Sequence, residues 1–214
     1  MAIKKPMNKN PAGNNDFKTT RSFNAGFRAL SGEGNERSYE LSFSSEQPVE
    51  RWYGPEILDH SDGCVNLENL ERGASVLFGH RTDSVDCVIG HVTRAWVENG
   101  RGKAVIQLDD DESTAKVQKK IDSGSLTGVS VGYTIDSVEE VKAGKKSLDG
   151  RFEGPCYVAK RWTPYEISIV PVPADSTVGV GRSMEDDSDP VGAYEQQIRI
   201  NENFARALAA GKLR

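Results

Sequence analysis

From Val88 to Leu108 the residues of the chain spell out a β-hairpin. Val88-Ile89-Gly90-His91-Val92-Thr93-Arg94-Ala95-Trp96-Val97 and Lys103-Ala104-Val105-Ile106-Gln107-Leu108 flank the turn Glu98-Asn99-Gly100-Arg101-Gly102. Asn and Gly both tolerate positive φ, so Asn99-Gly100 at the centre of two β-patterned runs is a strong hairpin signal. The same two-residue period recurs in Arg37-Ser38-Tyr39-Glu40-Leu41-Ser42-Phe43 and from Ser125 to Val138. Short apolar runs at 74–78, 156–162 and 166–170 read as further strands. One helix fits Glu112 to Asp122, where Asp109-Asp110-Asp111 suits the N-terminal dipole and Gly124 is placed to end it. These patterns predict a mainly β fold with flanking helices (α+β), predominantly antiparallel and barrel-like.

Composition narrows the function. The 214 residues are 36% hydrophobic and 28% charged, which fits a globular protein rather than a disordered chain. No apolar run reaches the roughly 20 residues that a membrane helix needs. The start, Met1-Ala2-Ile3-Lys4-Lys5-Pro6, lacks an apolar signal core, so the cytoplasm is the expected compartment. A net charge of −5 and no basic stripe argue against direct nucleic-acid binding. Cys64, Cys87 and Cys156 form no Cys-x-x-Cys pair and read as three reduced thiols. Three regions are expected: a flexible arm over 1–20, a folded domain over 21–182, and an acidic linker with a C-terminal helix over 183–214. On that helix Ile200, Phe204 and Leu208 would share a face.

Three islands carry the chemistry. Gly128-Val129-Ser130-Val131-Gly132 matches the Gly-x-Ser-x-Gly pattern of a nucleophile elbow. An α/β-hydrolase would need a histidine after that serine, yet His60, His80 and His91 all precede it. In a strand, Gly128, Ser130, Gly132 and Thr134 share one face, and Val129, Val131, Tyr133 and Ile135 share the core face. Two readings of the glycines stay open: access for a peptide to the Ser130 hydroxyl, or a bulge or crowded packing contact. His80 ends an apolar strand, a good mount for a base. His60 sits in the polar stretch Leu58-Asp59-His60-Ser61-Asp62 and reads as a surface residue; His91 lies within an amphipathic strand. Metal ligation by His60, Asp62, His80, Asp83 and His91 is the remaining alternative, although they form no metalloprotease motif. Glu166, facing away from Ile167 and Ile169, is either a solvated strand residue or the group that orients an imidazole.

Taken together, Phe78-Gly79-His80, the Ile89-Gly90-His91-Val92 strand, Gly124-Ser125-Leu126-Thr127-Gly128-Val129-Ser130-Val131-Gly132-Tyr133 and Glu166-Ile167-Ser168-Ile169-Val170-Pro171-Val172-Pro173-Ala174 resemble the maturation proteases of tailed-phage proheads. The resemblance covers about residues 21–180. It implies a β-barrel akin to the herpesvirus assemblin proteases, and a serine endopeptidase that clears capsid or scaffold protein inside the assembling prohead in the host cytoplasm. It assigns Ser130 as nucleophile, His80 as general base and Glu166 as the residue that orients His80, where the herpesvirus enzymes carry another histidine. No metal or organic cofactor is required. The implied partners are the major capsid protein or its scaffold segment. The assemblin likeness also raises homo-oligomerisation as a way of activating the site. Exposed tails make self-processing an expectation. Backbone amides near Ser130 or in 151–163 are the candidate oxyanion donors, and the excursion at 139–154, long against the family pattern, could hold an insertion near the cleft. The alternative from another class is a non-catalytic capsid-assembly or scaffold-binding β-domain.

Overall fold

A computed structural model describes residues 19–172. The arm up to residue 18, the acidic linker and the C-terminal helix with Ile200, Phe204 and Leu208 lie outside the described residues. Ten strands form one sheet: β1 (Thr19–Asn24), β2 (Arg28–Ala29), β3 (Ser38–Ser45), β4 (Val49–Arg51), β5 (Gly54–Leu58), β6 (Ser75–Phe78), β7 (Val88–Glu98), β8 (Arg101–Leu108), β9 (Gly128–Val141) and β10 (Cys156–Val170). Along the sheet the order is β1-β9-β10-β6-β7-β8-β3-β2, with β5 also on β10 and β4 on β5. The sheet curls into a half-barrel. Most pairs are antiparallel, as the residue pattern predicts; β10 pairs in parallel with β5 and β6. Thr19 and Thr20, expected in the arm, are strand.

The expected hairpin forms as β7 and β8, with Asn99 and Gly100 at φ 52° and 67° in the turn. In β8 the alternation is complete: Gly102, Ala104, Ile106 and Leu108 are buried and the residues between them are not. Tyr39, Leu41 and Phe43 of β3 meet them in the core. Helix α1 (Glu68–Glu71) is a single turn, and α2 (Glu112–Asp122) spans the expected residues. Its Asp111 N-cap accepts from the Thr114 amide, and Gly124 at φ 74° closes the helix through its amide on the Ile121 carbonyl.

Three expectations are corrected. The runs at 156–162 and 166–170 are one strand, β10, broken only by register irregularities, including one between Pro164 and Glu166. Pro164 lies between the stretches paired to β5 and β6, where its missing N–H leaves no strand partner wanting. The excursion is the connection between β9 and β10, and it leaves β9 at Val141, roughly 35 Å along the strand from Ser130. It is not beside the serine. Arg151 ties it to the fully buried Asp59 at 2.7 Å, and Lys160 of β10 holds its Asp149 at 2.8 Å.

His60, expected at the surface, is 5% exposed. Its Nδ1 donates to the Leu58 carbonyl at 2.8 Å, and its Nε2 accepts from the Ser44 hydroxyl at 2.7 Å. The Trp162 ring packs edge-on against it. Burial in this setting favours the neutral ring and lowers its pKa to about 4. An unfolded chain takes up a proton there near 6.5, so acidification between 6.5 and 4 favours unfolding. Wild type should lose on the order of 2 kcal/mol more than His60→Gln between pH 7 and pH 5, read from urea midpoints. An imidazole NMR titration of His60 near 6.5 would contradict this.

Candidate active site

Ser130, His80 and Glu166 come from three strands or strand ends and converge. Ser130 lies in β9, Glu166 in the neighbouring β10, and His80 just beyond β6, the strand on the far side of β10. The His80 Nε2 is 2.6 Å from the Ser130 Oγ, and its Nδ1 is 2.6 Å from Glu166 Oε1. A carboxylate only accepts, so a neutral His80 carries its hydrogen on Nδ1 and leaves the Nε2 lone pair to the serine. That arrangement can take a proton from a hydroxyl and stabilise the resulting imidazolium.

Register explains why the three meet. Pro164 pairs with Tyr133 and Glu166 with Gly132, so β10 advances two residues while β9 advances one. Tyr165 is the extra residue of a bulge. Before it, Trp162 faces the core; after it, Ile167 and Ile169 do, and both are fully buried. Without the bulge, Glu166 would fall opposite Val131 and point into the apolar core. With it, Glu166 stands on the face of Ser130. One residue decides the face.

The carboxylate then lies directly over Gly132. A Cβ built there would sit 2.4 Å from Glu166 Oε1 and 2.7 Å from the Tyr165 ring. Of the two readings of the Gly-x-Ser-x-Gly pattern, the crowded contact therefore holds at Gly132, and it serves the site by admitting the acid.

His80 reaches over the sheet from a tight turn. Gly79 and His80 have φ of 68° and 59°, and the Arg81 amide returns to the Phe78 carbonyl at 3.4 Å. Positive φ is uncommon for a residue with a Cβ, and two amides brace the turn. Gly79 donates to the Ile169 carbonyl at 2.9 Å, and His80 donates to the Ser168 Oγ at 3.1 Å. Ser168 is fully buried and its hydroxyl donates to Glu166 Oε2 at 2.7 Å. Sequence reasoning gave Ser168 no part; the Glu-x-Ser spacing, which puts both side chains on one face of a strand, was the available signal.

The other edge of β9 is covered by β1, with Ser22 opposite Ser130. The Ser130 hydroxyl is 3.0 Å from the Arg21 carbonyl oxygen, a second acceptor for its single hydrogen, and Ser130 is 1% exposed. Arg21 holds β1 in place. Its guanidinium donates to the carbonyls of Ser45, Gln47 and Glu56 and pairs with the buried Glu56 carboxylate at 3.3 Å. Burial raises the Glu56 pKa, but Arg21, Arg51 and the hydroxyls of Tyr133 and Tyr53 outweigh it and the net shift is downward. Because β9 is paired on both edges from Gly128 to Tyr133, its amides there are already spent on neighbouring strands. Residues 156–163 pair with β9 beyond Tyr133. The 156–163 part of the second expected source of oxyanion donors therefore lies further along the sheet than Ser130.

His91 is exposed and pairs with Ser75 and Gln107, and His60 is occupied by Ser44, so neither ring competes with His80 for Ser130. Among the described residues no three His, Cys, Asp or Glu side chains are grouped to hold a metal ion. The metal alternative therefore gains no cluster from His60, Asp62, His80, Asp83 and His91.

Residues 56–189 match the family described as Caudovirus prohead serine protease. Over 164 residues the chain is 33% identical to the major capsid protein of Halomonas phage phiHAP-1, covering 76% of this chain and 26% of that protein. It thus spans about a quarter of the length of that curated relative. Among solved structures, the bacteriophage T4 capsid assembly protease gp21 is similar at a TM-score of 0.42 and 8% identity, over 73% of this chain and 98% of that one.

Gly132→Ala should keep the fold and displace the Glu166 carboxylate from His80. The low-field Nδ1–H proton signal of the imidazole should disappear, and labelling of Ser130 by a serine-directed phosphonate should slow by about a hundredfold or more. An unchanged proton signal would show that the methyl group is accommodated elsewhere.

Proposed function

Because the chain belongs to the caudovirus prohead serine protease family, we propose that it is a serine endopeptidase of capsid maturation and that Ser130, His80 and Glu166 are its working set. The observation that carries this reading is the unbroken line Ser130 Oγ–His80 Nε2 and His80 Nδ1–Glu166 Oε1, both at 2.6 Å. Ser130 attacks the scissile carbonyl carbon as its hydrogen passes to His80 Nε2. Glu166 holds the imidazolium through Nδ1–H. The tetrahedral adduct collapses, the C–N bond breaks, and the amine leaves with the proton from Nε2. Water, deprotonated by His80, then adds to the acyl carbon and frees the Ser130 hydroxyl.

The substrate is a capsid protein or its scaffold segment. In support, a protein named major capsid protein contains a segment 33% identical to this chain. A protease carried on, or packed beside, such a protein meets it at high effective concentration and needs little intrinsic affinity. The site of action would be the interior of the assembling prohead in the host cell. Among the described residues no helix is long and apolar enough to cross a membrane. Since β1 covers the serine, an extended substrate must bring its carbonyl in beside the Arg21 carbonyl or displace β1 locally. Cleavage of the chain's own tails is part of the same proposal.

Co-expression with the phage's major capsid protein tests it. Wild type should shorten the capsid protein, and Ser130→Ala should leave it full length, a loss of at least about a thousandfold. Intact masses of the two proteases should differ at the termini if self-cleavage occurs. A capsid protein processed by Ser130→Ala would overturn the assignment.

A further inference from the structure

The sheet aligns Ser22, Ser130, Ser168 and Leu77 in one row across β1, β9, β10 and β6. Ser168 is therefore the neighbour of Ser130 on the adjoining strand, in the same row and bonded to both His80 and Glu166. Its hydroxyl has two partners. It donates to Glu166 Oε2 at 2.7 Å, the oxygen that His80 does not use, and it accepts from the backbone amide of His80 at 3.1 Å. A single buried hydroxyl thus ties the carboxylate to the main chain of the histidine it faces.

From this we infer that Ser168 is a positioning residue for the reaction, acting through Glu166 and His80 and never touching substrate. The inference rests on the reading of Ser130, His80 and Glu166 given above. Its physical basis has two parts. A carboxylate with one oxygen on an imidazole can rotate about its last torsion unless the other oxygen is held; Ser168 holds it. A histidine at φ 59° sits in a sparsely populated backbone region, and its amide has no strand partner there. Ser168 supplies the acceptor. Because the residue is 0% exposed, water cannot replace either bond without opening the sheet. The ordinary alternative is a satisfied core serine that contributes only to stability. It predicts no link between Ser168 and Glu166 in catalysis.

Three measurements on the full chain separate the two. Inactivation by a serine-directed phosphonate gives the maximal rate and the binding constant separately. Ser168→Ala should lower the maximal rate about ten- to hundredfold, the range for loss of a bond to a charged group, with the binding constant unchanged. Its low-field Nδ1–H signal should broaden or move, and Ser168→Thr, which keeps a hydroxyl, should restore part of the rate. In a Glu166→Gln background, the same Ser168→Ala change should cost several-fold less than in wild type, because one of the two groups it acts through is gone and only the bond to the His80 amide remains to be lost. Should Ser168→Ala fail to fold, Ser168→Cys, close in volume and a weak donor, takes its place. An unchanged maximal rate in folded Ser168→Ala, or an equal loss in both backgrounds, would overturn the inference. Wild type that fails to label at Ser130 would instead overturn the reading beneath it.

Discussion

The site depends on a single extra residue in β10. Side chains in a strand alternate faces with a period of two, so an insertion of one moves every later side chain to the other side. Tyr165 is that insertion. It lets one strand serve the core with Trp162 before the bulge and with Ile167 and Ile169 after it, and still deliver Glu166 and Ser168 to the face of Ser130. A regular strand could not do both with this sequence: Glu166 in phase with Trp162 would be a carboxylate among Val131 and its apolar neighbours, at a cost of several kcal/mol.

Around that bulge, small groups make the site possible. Gly132 leaves the volume that the Glu166 carboxylate occupies, and Ser168 fills the floor beneath His80 with a hydroxyl in place of an alkyl group. On the far edge of β9, the buried Arg21–Glu56 pair fixes β1, whose carbonyl lies within reach of the Ser130 hydroxyl. Buried charges of this kind are costly alone and tolerable only when fully partnered. Glu56 has Arg21, Arg51, Tyr53 and Tyr133 around it. The polar interior of the half-barrel and the polar site on its outer face therefore share strands, and β9 is common to both through Tyr133 and Ser130.

Much of this was legible in the residues. The Asn99-Gly100 hairpin and the helix from Glu112 to Asp122 follow from local chemistry, and both form over the expected stretches. The three candidate site residues could be named together only through the family resemblance; taken alone, the glycines around Ser130 and the strand position of Glu166 admitted ordinary packing and solvated readings as well. What escaped is non-local. The gap at Thr163-Pro164-Tyr165 showed a phase break, but a bulge and a loop break the phase alike; only pairing with β9 tells them apart. His60 looked solvated beside Asp59, Ser61 and Asp62, yet Trp162, distant in sequence, covers it while Lys160 and Arg151 neutralise Asp59. The excursion at 139–154 offered length for an insertion near the cleft, but its position depends on β9, which continues to Val141 and carries it away from Ser130.

His80 stands apart from its companions in how it is mounted. Ser130, Glu166 and Ser168 sit on strands hydrogen-bonded on both sides, whereas His80 is on a turn and its side chain is 27% exposed. On the proposed mechanism, the group that accepts and returns a proton in each cycle is thus the one with room to adjust, and the groups that set its position are the rigid ones. Such a division needs a link between turn and sheet, or the imidazole would drift from both partners by more than the few tenths of an ångström that a 2.6 Å contact allows. The amides of Gly79 and His80 provide it, one on the Ile169 carbonyl and one on the Ser168 hydroxyl. The turn is therefore tied to β10, the strand that also bears the acid, and the distance between base and acid is set within one strand and its neighbouring turn.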